Sequence, residues 1–206
     1  MAIVLQKGQR IDLTKGHPGL EKIIVGLGWD PIEKKSGGLL GGLFGGGGGS
    51  GGSNSNMDID ASVIMLQDDK FVDKNNLVYF GNLKSKCGSV QHAGDNTTGE
   101  GDGDDEQVIV ELKKVPANIN KLVFVVNIYN CVKLKQDFGQ VENAFIRVIN
   151  SGNNEELLKF DLSENYAGLT SLTVAEIYRS GSEWKFGAVG SGSTDAGLSS
   201  MVERYK

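Results

Sequence analysis

Short runs of alternating apolar and polar residues follow one another along most of the chain, as is typical of β-strands. A strand over residues 107–112 would place Val108 and Val110 on one face and Ile109 on the other, whereas residues 122–129 are almost continuously apolar. A continuous apolar run of that length predicts a strand buried on both faces, near the centre of a sheet. Further strands are predicted over residues 20–29, 57–66 and 77–80.

Glycine-containing turns between these runs predict three β-hairpins, over residues 3–14, 144–162 and 172–189. The tail, residues 196–205, spaces its apolar side chains as a short amphipathic helix does, and residues 113–116 suggest a helical turn. Many short strands separated by glycine turns predict an all-β fold. We expect a two-sheet β-sandwich with short peripheral helices.

One change of composition interrupts this pattern at residues 36–56, which are rich in glycine and serine. Glycine has the largest ordering cost of any residue, so the stretch is predicted to be a flexible insertion in a single domain of residues 1–206. Four large apolar residues stand within it: Leu39, Leu40, Leu43 and Phe44. A surface insertion and a segment that adheres to a partner, to a second copy of the chain or to lipid both remain open.

The overall charge of the chain bears on which kind of macromolecule it could bind. The 206 residues contain 26 acidic and 21 basic side chains, for a formal net charge of −5. No basic stripe is present, which argues against nucleic acid as a partner. The spacing of Cys87 and Cys131 fits neither a zinc motif nor a redox C-x-x-C, so free thiols in a reducing cytoplasm are expected. The N-terminus lacks the features of a signal peptide, and no apolar run is long enough to span a bilayer.

The most unusual stretch is residues 94–106, which carry six carboxylates and four glycines without any cation. Carboxylates at this density repel one another unless water or a bound cation separates them. Hard oxygen ligands on a glycine-rich loop suit Ca²⁺ better than Mg²⁺, although the spacing does not match an EF-hand. A solvated acidic turn has the same composition, so the local pattern leaves both interpretations open. Asp58 and Asp60 lie on one face of the predicted strand 57–66, again without an adjacent cation.

Several ordered motifs together resemble the TerD family of tellurium-resistance and general stress proteins. The resemblance covers nearly the whole chain and is broken by the glycine-rich insertion. The motifs that carry it are Gly26-Leu27-Gly28-Trp29-Asp30, Asp58-Ile59-Asp60-Ala61-Ser62, the acidic stretch at 94–106, Phe138-Gly139-Gln140-Val141, and Tyr178-Arg179 with Gly181 and Glu183-Trp184-Lys185-Phe186.

The resemblance implies a cytoplasmic bacterial protein that binds two Ca²⁺ ions at one end of the sandwich. It implies tellurite resistance and general stress response, and no catalytic activity. The residues carried over as metal ligands are Asp30, Asp58, Asp60, Asp95, Asn96, Glu100, Asp102, Asp104, Asp105 and Glu106.

We therefore expect a non-enzymatic calcium-binding protein that presents a calcium-ordered surface to partners. Other stress-response or TerD-family proteins are the expected partners, with possible membrane association and possible self-association through residues 36–56. The alternative is a detoxifying enzyme that uses a bound cation as a Lewis acid on a metalloid or small molecule. His17 and His92 carry no signature of a catalytic pair, and a hydrogen-bonded imidazole without a catalytic role is the ordinary outcome.

Overall fold

The computed structural model describes residues 2–32, 57–94 and 103–206, and they form two six-stranded sheets. The predicted insertion at residues 36–56 lies outside the described residues. Strands are numbered along the chain. In spatial order, the first sheet contains Ile3–Leu5 (β1), Glu155–Asp161 (β10), Val141–Asn150 (β9), Lys22–Pro31 (β3), Glu106–Glu111 (β7) and Val90–His92 (β6).

The second sheet packs against the first and is antiparallel throughout. In spatial order it contains Arg10–Asp12 (β2), Glu183–Ser193 (β12), Ser171–Ser180 (β11), Lys121–Ile128 (β8), Ile59–Leu66 (β4) and Leu77–Val78 (β5). Short helices lie at the periphery: Cys131–Leu134 (α1), Leu198–Glu203 (α2), and single 3₁₀ turns at Lys74–Asn76, Leu112–Lys114 and Phe138–Gln140. The predicted all-β sandwich is confirmed.

The core lies between the two sheets and is built from the inward-facing residues of each strand. Strand β3 contributes Ile23, Val25 and Leu27, all of which are buried. Every residue of β4 is buried, and β8 is buried from Leu122 to Ile128, because both strands are covered on their outer face as well. This confirms the prediction that the run at 122–129 is an interior strand.

A second, smaller core covers part of the outer face of the second sheet. Helix α2 places Met201 and Val202 on Ile64 and Val125, so the amphipathic helix predicted for the tail is confirmed. Burying side chains of this size stabilises the fold by roughly 1.5–3 kcal/mol each. No helix in the described parts of the chain is long and apolar enough to cross a membrane.

The hairpins predicted near the C-terminus are confirmed, because β9 pairs with β10 and β11 pairs with β12 in antiparallel register. The hairpin predicted over residues 3–14 is wrong. Strand β1 pairs in parallel with β10, whereas β2 pairs with β12 in the other sheet. Each strand has three residues, too few to bury a face as an isolated hairpin. Each instead extends the edge of a different sheet.

Candidate metal centre at one end of the sandwich

Three segments of the chain bring carboxylates to the same end of the sandwich. Asp30 stands near the end of β3, the acids Asp104 and Asp105 precede β7, and Glu106 opens β7. Strands β3 and β7 run antiparallel with Leu27 opposite Glu106, so the end of one strand meets the start of the other. Asp58 and Asp60 stand at the start of β4 in the facing sheet. We call these six carboxylates the acidic end.

Glu106 connects the two sheets at this end. It is only 2% exposed, and its Oε2 accepts a hydrogen bond of 2.6 Å from the backbone N–H of Ala61, next to Asp60. The Nε2 of buried His92 lies 3.3 Å from the same oxygen. Because the Nδ1 of His92 accepts from the backbone N–H of Gly94, a neutral imidazole carries its proton on Nε2 and donates it to Glu106. His92 is thus a hydrogen-bonded core residue.

Asp105 is held against β3 by two hydrogen bonds. Its Oδ2 accepts from the backbone N–H of Trp29 at 2.7 Å, and its own N–H donates to the carbonyl of Leu27 at 2.8 Å. Burial raises the pKa of the Asp105 carboxyl. The Trp29 N–H opposes that rise, and the nearby charges of Asp30 and Asp104 add to it, so the net pKa lies above the usual 3.8. The carboxylate form of Asp105 is therefore disfavoured by its surroundings.

Asp104, the preceding residue, has a cation beside it. Its side chain is 1% exposed, and its Oδ1 accepts a 2.7 Å hydrogen bond from Nε of Arg147 on β9. Its Oδ2 accepts from the side-chain amide of Gln107 at 3.0 Å. A second carboxylate, Glu156, lies 3.0 Å from the same guanidinium. Asp104 therefore already has a cation beside it, which it shares with Glu156.

Two glycines on β3 let the acidic segment lie against the strand. A Cβ on Gly26 would stand 2.2 Å from the carboxyl carbon of Asp104. A Cβ on Gly28 would stand 2.5 Å from the ring of Phe145 and 2.6 Å from the carbonyl oxygen of Gly103. Residues two apart on a strand share a face, so Gly-Leu-Gly clears one face for a neighbouring backbone. The Gly-Leu-Gly pattern is visible in the sequence, but the site was predicted without it. The part that Arg147 plays beside Asp104 was not predicted either.

Asp30 is exposed and receives a 2.8 Å hydrogen bond from the side-chain amide of Asn143 on β9. Asn143 has a φ of 53°, a left-handed conformation that asparagine tolerates better than most residues. A residue of another strand thus orients Asp30 toward the acidic end.

Four of the predicted ligands, Asp95, Asn96, Glu100 and Asp102, lie outside the described residues. Within residues 2–32, 57–94 and 103–206, no group of three or more Asp, Glu, His or Cys side chains is placed so that it could hold a metal ion by itself. The structure thus gathers the other six predicted ligands at one end of the molecule. Their role as metal ligands stays a prediction.

The two cysteines differ in their surroundings, and both are free thiols. Cys131 is buried at the start of α1. Cys87 is exposed, and its Sγ lies 3.0 Å from the hydroxyl of Ser89 and 3.5 Å from that of Ser85. Partial burial raises the pKa of the Cys87 thiol, but hydrogen bonds, first from Ser85 and then from Ser89, outweigh it and leave the pKa below the usual 9.0.

Comparison with known families matches this chain to the TerD domain over residues 1–205. The chain is 63% identical to the "Stress response protein SCP2" of Bacillus subtilis (strain 168) over the full length of both proteins. It is 37% identical to the "Tellurium resistance protein TerD" of Serratia marcescens, over 100% of this chain and 97% of the relative. Neither name describes a catalysed reaction.

Among solved structures, the fold resembles that of a homologue of telluride resistance protein (TerD) from Streptomyces coelicolor A3(2). The TM-score is 0.61 and the sequence identity 23%, and the match covers 86% of this chain and 92% of the other. At this identity the likeness concerns the fold alone.

Proposed function

Because the chain belongs to the TerD domain family of tellurium-resistance and stress-response proteins, we propose that it is a non-enzymatic, calcium-binding stress-response protein of the bacterial cytoplasm. The observation that carries the proposal is the meeting of three carboxylate-bearing segments at one end of the sandwich. They are the end of β3, the start of β4 and the start of β7.

The chemistry of the donor set fits calcium. The candidate ligands offer carboxylate and amide oxygens, which are the hard donors that Ca²⁺ prefers. The thiols of Cys87 and Cys131 are not among them. His92 is occupied by Glu106 and the Gly94 N–H, which leaves its ring nitrogens engaged. A softer metal that favours nitrogen or sulfur is therefore a poorer fit.

The acids of this end are not equivalent. Asp104 already has Arg147 beside it, so we expect it to contribute least to cation binding. Asp105 is held by backbone hydrogen bonds with Asp30 and Asp104 nearby, so its charge gains most from a cation. Bound calcium would place positive charge beside Asp30 and Asp105. The hydrogen bonds from Trp29 and Asn143 hold these two carboxylates in place beforehand.

Calcium binding would also couple the two sheets. Glu106 on β7 already bonds to the backbone of Ala61 on β4, between the two sheets. A cation shared by residues of β3, β4 and β7 would oppose separation of the sheets at this end. We propose that this ordered end is the surface presented to partners, and that other TerD-family proteins are among them.

The test is a calcium titration of the full chain by calorimetry, with thermal melts in calcium and in chelator. We expect heat of binding and a higher melting temperature in calcium. At a concentration about 100 times the dissociation constant, the ligand stabilises the folded state by roughly 2.7 kcal/mol. No heat and an unchanged melting temperature for the unaltered protein would rule out the proposal.

Substitution of Asp105 adds a sign test. In Asp105→Asn the oxygen that accepts from Trp29 is kept and the charge is lost. In chelator this variant should melt no lower than the parent, because repulsion with Asp30 and Asp104 is relieved. In calcium it should lose most of the gain in melting temperature. Glu21→Gln, at the opposite end of β3, is the matched control and should respond to calcium as the parent does. Equal responses of both variants would place calcium elsewhere.

A further inference from the structure

A cavity of about 740 Å³ opens on the outer face of the second sheet. Its lining comes from β4 and β8, from the chain that follows β5, and from α1 and the start of α2. The volume lies within the roughly 300–1,000 Å³ that is usual for small-molecule sites. The candidate metal centre does not account for it, since most of its lining lies outside the acidic end.

The floor of this cavity is polar where the same sheet face is elsewhere apolar. Along the outer face of β4, Ser62 is followed by Ile64 and Leu66, and along β8, Asn127 follows Val125. Helix α2 covers the apolar half of the face. The polar half lies under the cavity, so the change from apolar to polar residues coincides with the edge of the helix.

Two floor side chains are nearly fully buried and have polar atoms without a partner. Ser62 is 1% exposed and Asn127 is 5% exposed. Among the described residues, neither Oγ of Ser62 nor Oδ1 of Asn127 has a hydrogen-bond partner. A buried polar atom without a partner costs about 1–3 kcal/mol, so such atoms mark where a partner from outside the chain would bind.

Large apolar side chains surround the mouth. Phe80, Tyr129 and Val132 all line the cavity and are 47%, 48% and 74% exposed. Exposed aromatic and aliphatic side chains grouped around a polar floor are typical of a site for a molecule with an apolar body. The ring-sized surfaces of Phe80 and Tyr129 favour an aromatic body.

The polar groups indicate the other end of the ligand. Asn127 offers its amide oxygen, and Asp60, opposite Asn127 in the strand register, adds a carboxylate to the lining. These acceptors favour a head group that donates hydrogen bonds and carries positive charge. Lys133 is the cation of the lining, and it is exposed at the mouth. We propose that the cavity binds a small aromatic amine, with the ammonium group on the floor and the ring between the side chains of the mouth.

The test uses phenethylamine as the probe and phenylacetate as its matched anion, with the full chain in saturating calcium and again in chelator. Chemical-shift titration by NMR gives the affinity. We expect saturable binding of phenethylamine in both conditions, with phenylacetate at least about tenfold weaker because the floor presents acceptors to it. No saturable binding of phenethylamine, or tighter binding of phenylacetate, would overturn the proposal.

Variants locate the binding. Asn127→Leu removes the acceptor and should weaken phenethylamine binding roughly tenfold. Its melting temperature should stay level or rise, because a buried atom without a partner is removed. Val72→Ala, an exposed apolar residue outside the lining, is the control and should bind the probe as the parent does.

Unchanged affinity in Asn127→Leu would contradict the proposal. If that variant does not fold, Ser62→Ala is read in the same way. Neither Ser62 nor Asn127 is a predicted metal ligand, so these variants separate this proposal from calcium binding.

Discussion

The acidic end and the outer cavity both include residues of strand β4, but the groups brought together there differ in kind. At the acidic end, carboxylates of β3, β4 and β7 stand at the same end of the sandwich, and the difficulty is like charge, as the effect of Asp30 and Asp104 on Asp105 shows. In the cavity, Ser62 and Asn127 are neutral, and the difficulty is burial of polar atoms without a partner. A site of the first kind selects its occupant by charge. A site of the second kind selects by shape and by the direction of hydrogen bonds, and here also by the charge of Asp60 in its lining.

A finer contrast exists within the acidic end, between two consecutive residues. Asp104 is ion-paired with the guanidinium of Arg147, whereas Asp105 accepts from a backbone N–H and has two carboxylates nearby. Asp104 therefore has a structural ion pair, and Asp105 is the better candidate to bind a cation.

Removal of the cation beside Asp104 should have the largest effect. In Arg147→Met the side-chain stem is kept but Asp104, which is 1% exposed, is left without its ion pair. Breaking a buried pair from one side is strongly destabilising, and because Arg147 is 29% exposed we expect a loss of about 3 kcal/mol. Chemical denaturation measures the loss. Phenethylamine binding at the cavity should stay unchanged.

A second substitution shows whether the loss comes from the unpaired charge. In the double variant Arg147→Met with Asp104→Asn, the buried carboxylate that had lost its ion pair is removed as well, and part of the lost stability should return. Lys159→Met, which removes a half-buried cation on the adjacent β10 that pairs with exposed Asp161, is the control and should change stability by well under 1 kcal/mol. If Arg147→Met is as stable as the parent, the distinction drawn between Asp104 and Asp105 is wrong.

A methyl group on Gly28 should have the next largest effect. It would meet the ring of Phe145 and the carbonyl of Gly103, and the backbone oxygen cannot rotate away. We expect a loss of roughly 1–3 kcal/mol, as for other overpacked positions, together with weaker calcium binding because the acidic segment is displaced. Gly187→Ala on β12 is the matched control, since its nearest atoms lie at an ordinary 3.7 Å. Equal effects of the two substitutions would contradict this account.

Sequence patterns predicted the strands well where a strand is long and its apolar residues form a continuous face. Long apolar faces mark the run at 122–129 and the hairpins β9–β10 and β11–β12. The pairing within the two hairpins could therefore be predicted from local sequence. Strands β1 and β2 were misassigned because partners of three-residue strands are set by sheet edges far away in the sequence. Local sequence likewise did not distinguish Asp104 from Asp105, and both were predicted as metal ligands. The difference between them depends on Arg147, which is 43 residues distant.

The smallest effect concerns the exposed thiol of Cys87, whose anion is stabilised by hydrogen bonds. The hydroxyls of Ser85 and Ser89 lower the pKa of Cys87 against the opposing effect of partial burial. Since the thiolate is the reactive form, the rate of alkylation should rise with pH and reach its midpoint below 9.0. Ser89→Ala removes one donor and should move that midpoint to higher pH with little change in stability. Mass spectrometry locates the label, with buried Cys131 as the internal control that reacts after unfolding. A midpoint at or above 9.0 in the parent would show that these hydroxyls do not stabilise the anion, and would weaken the same argument for the backbone N–H at Asp105.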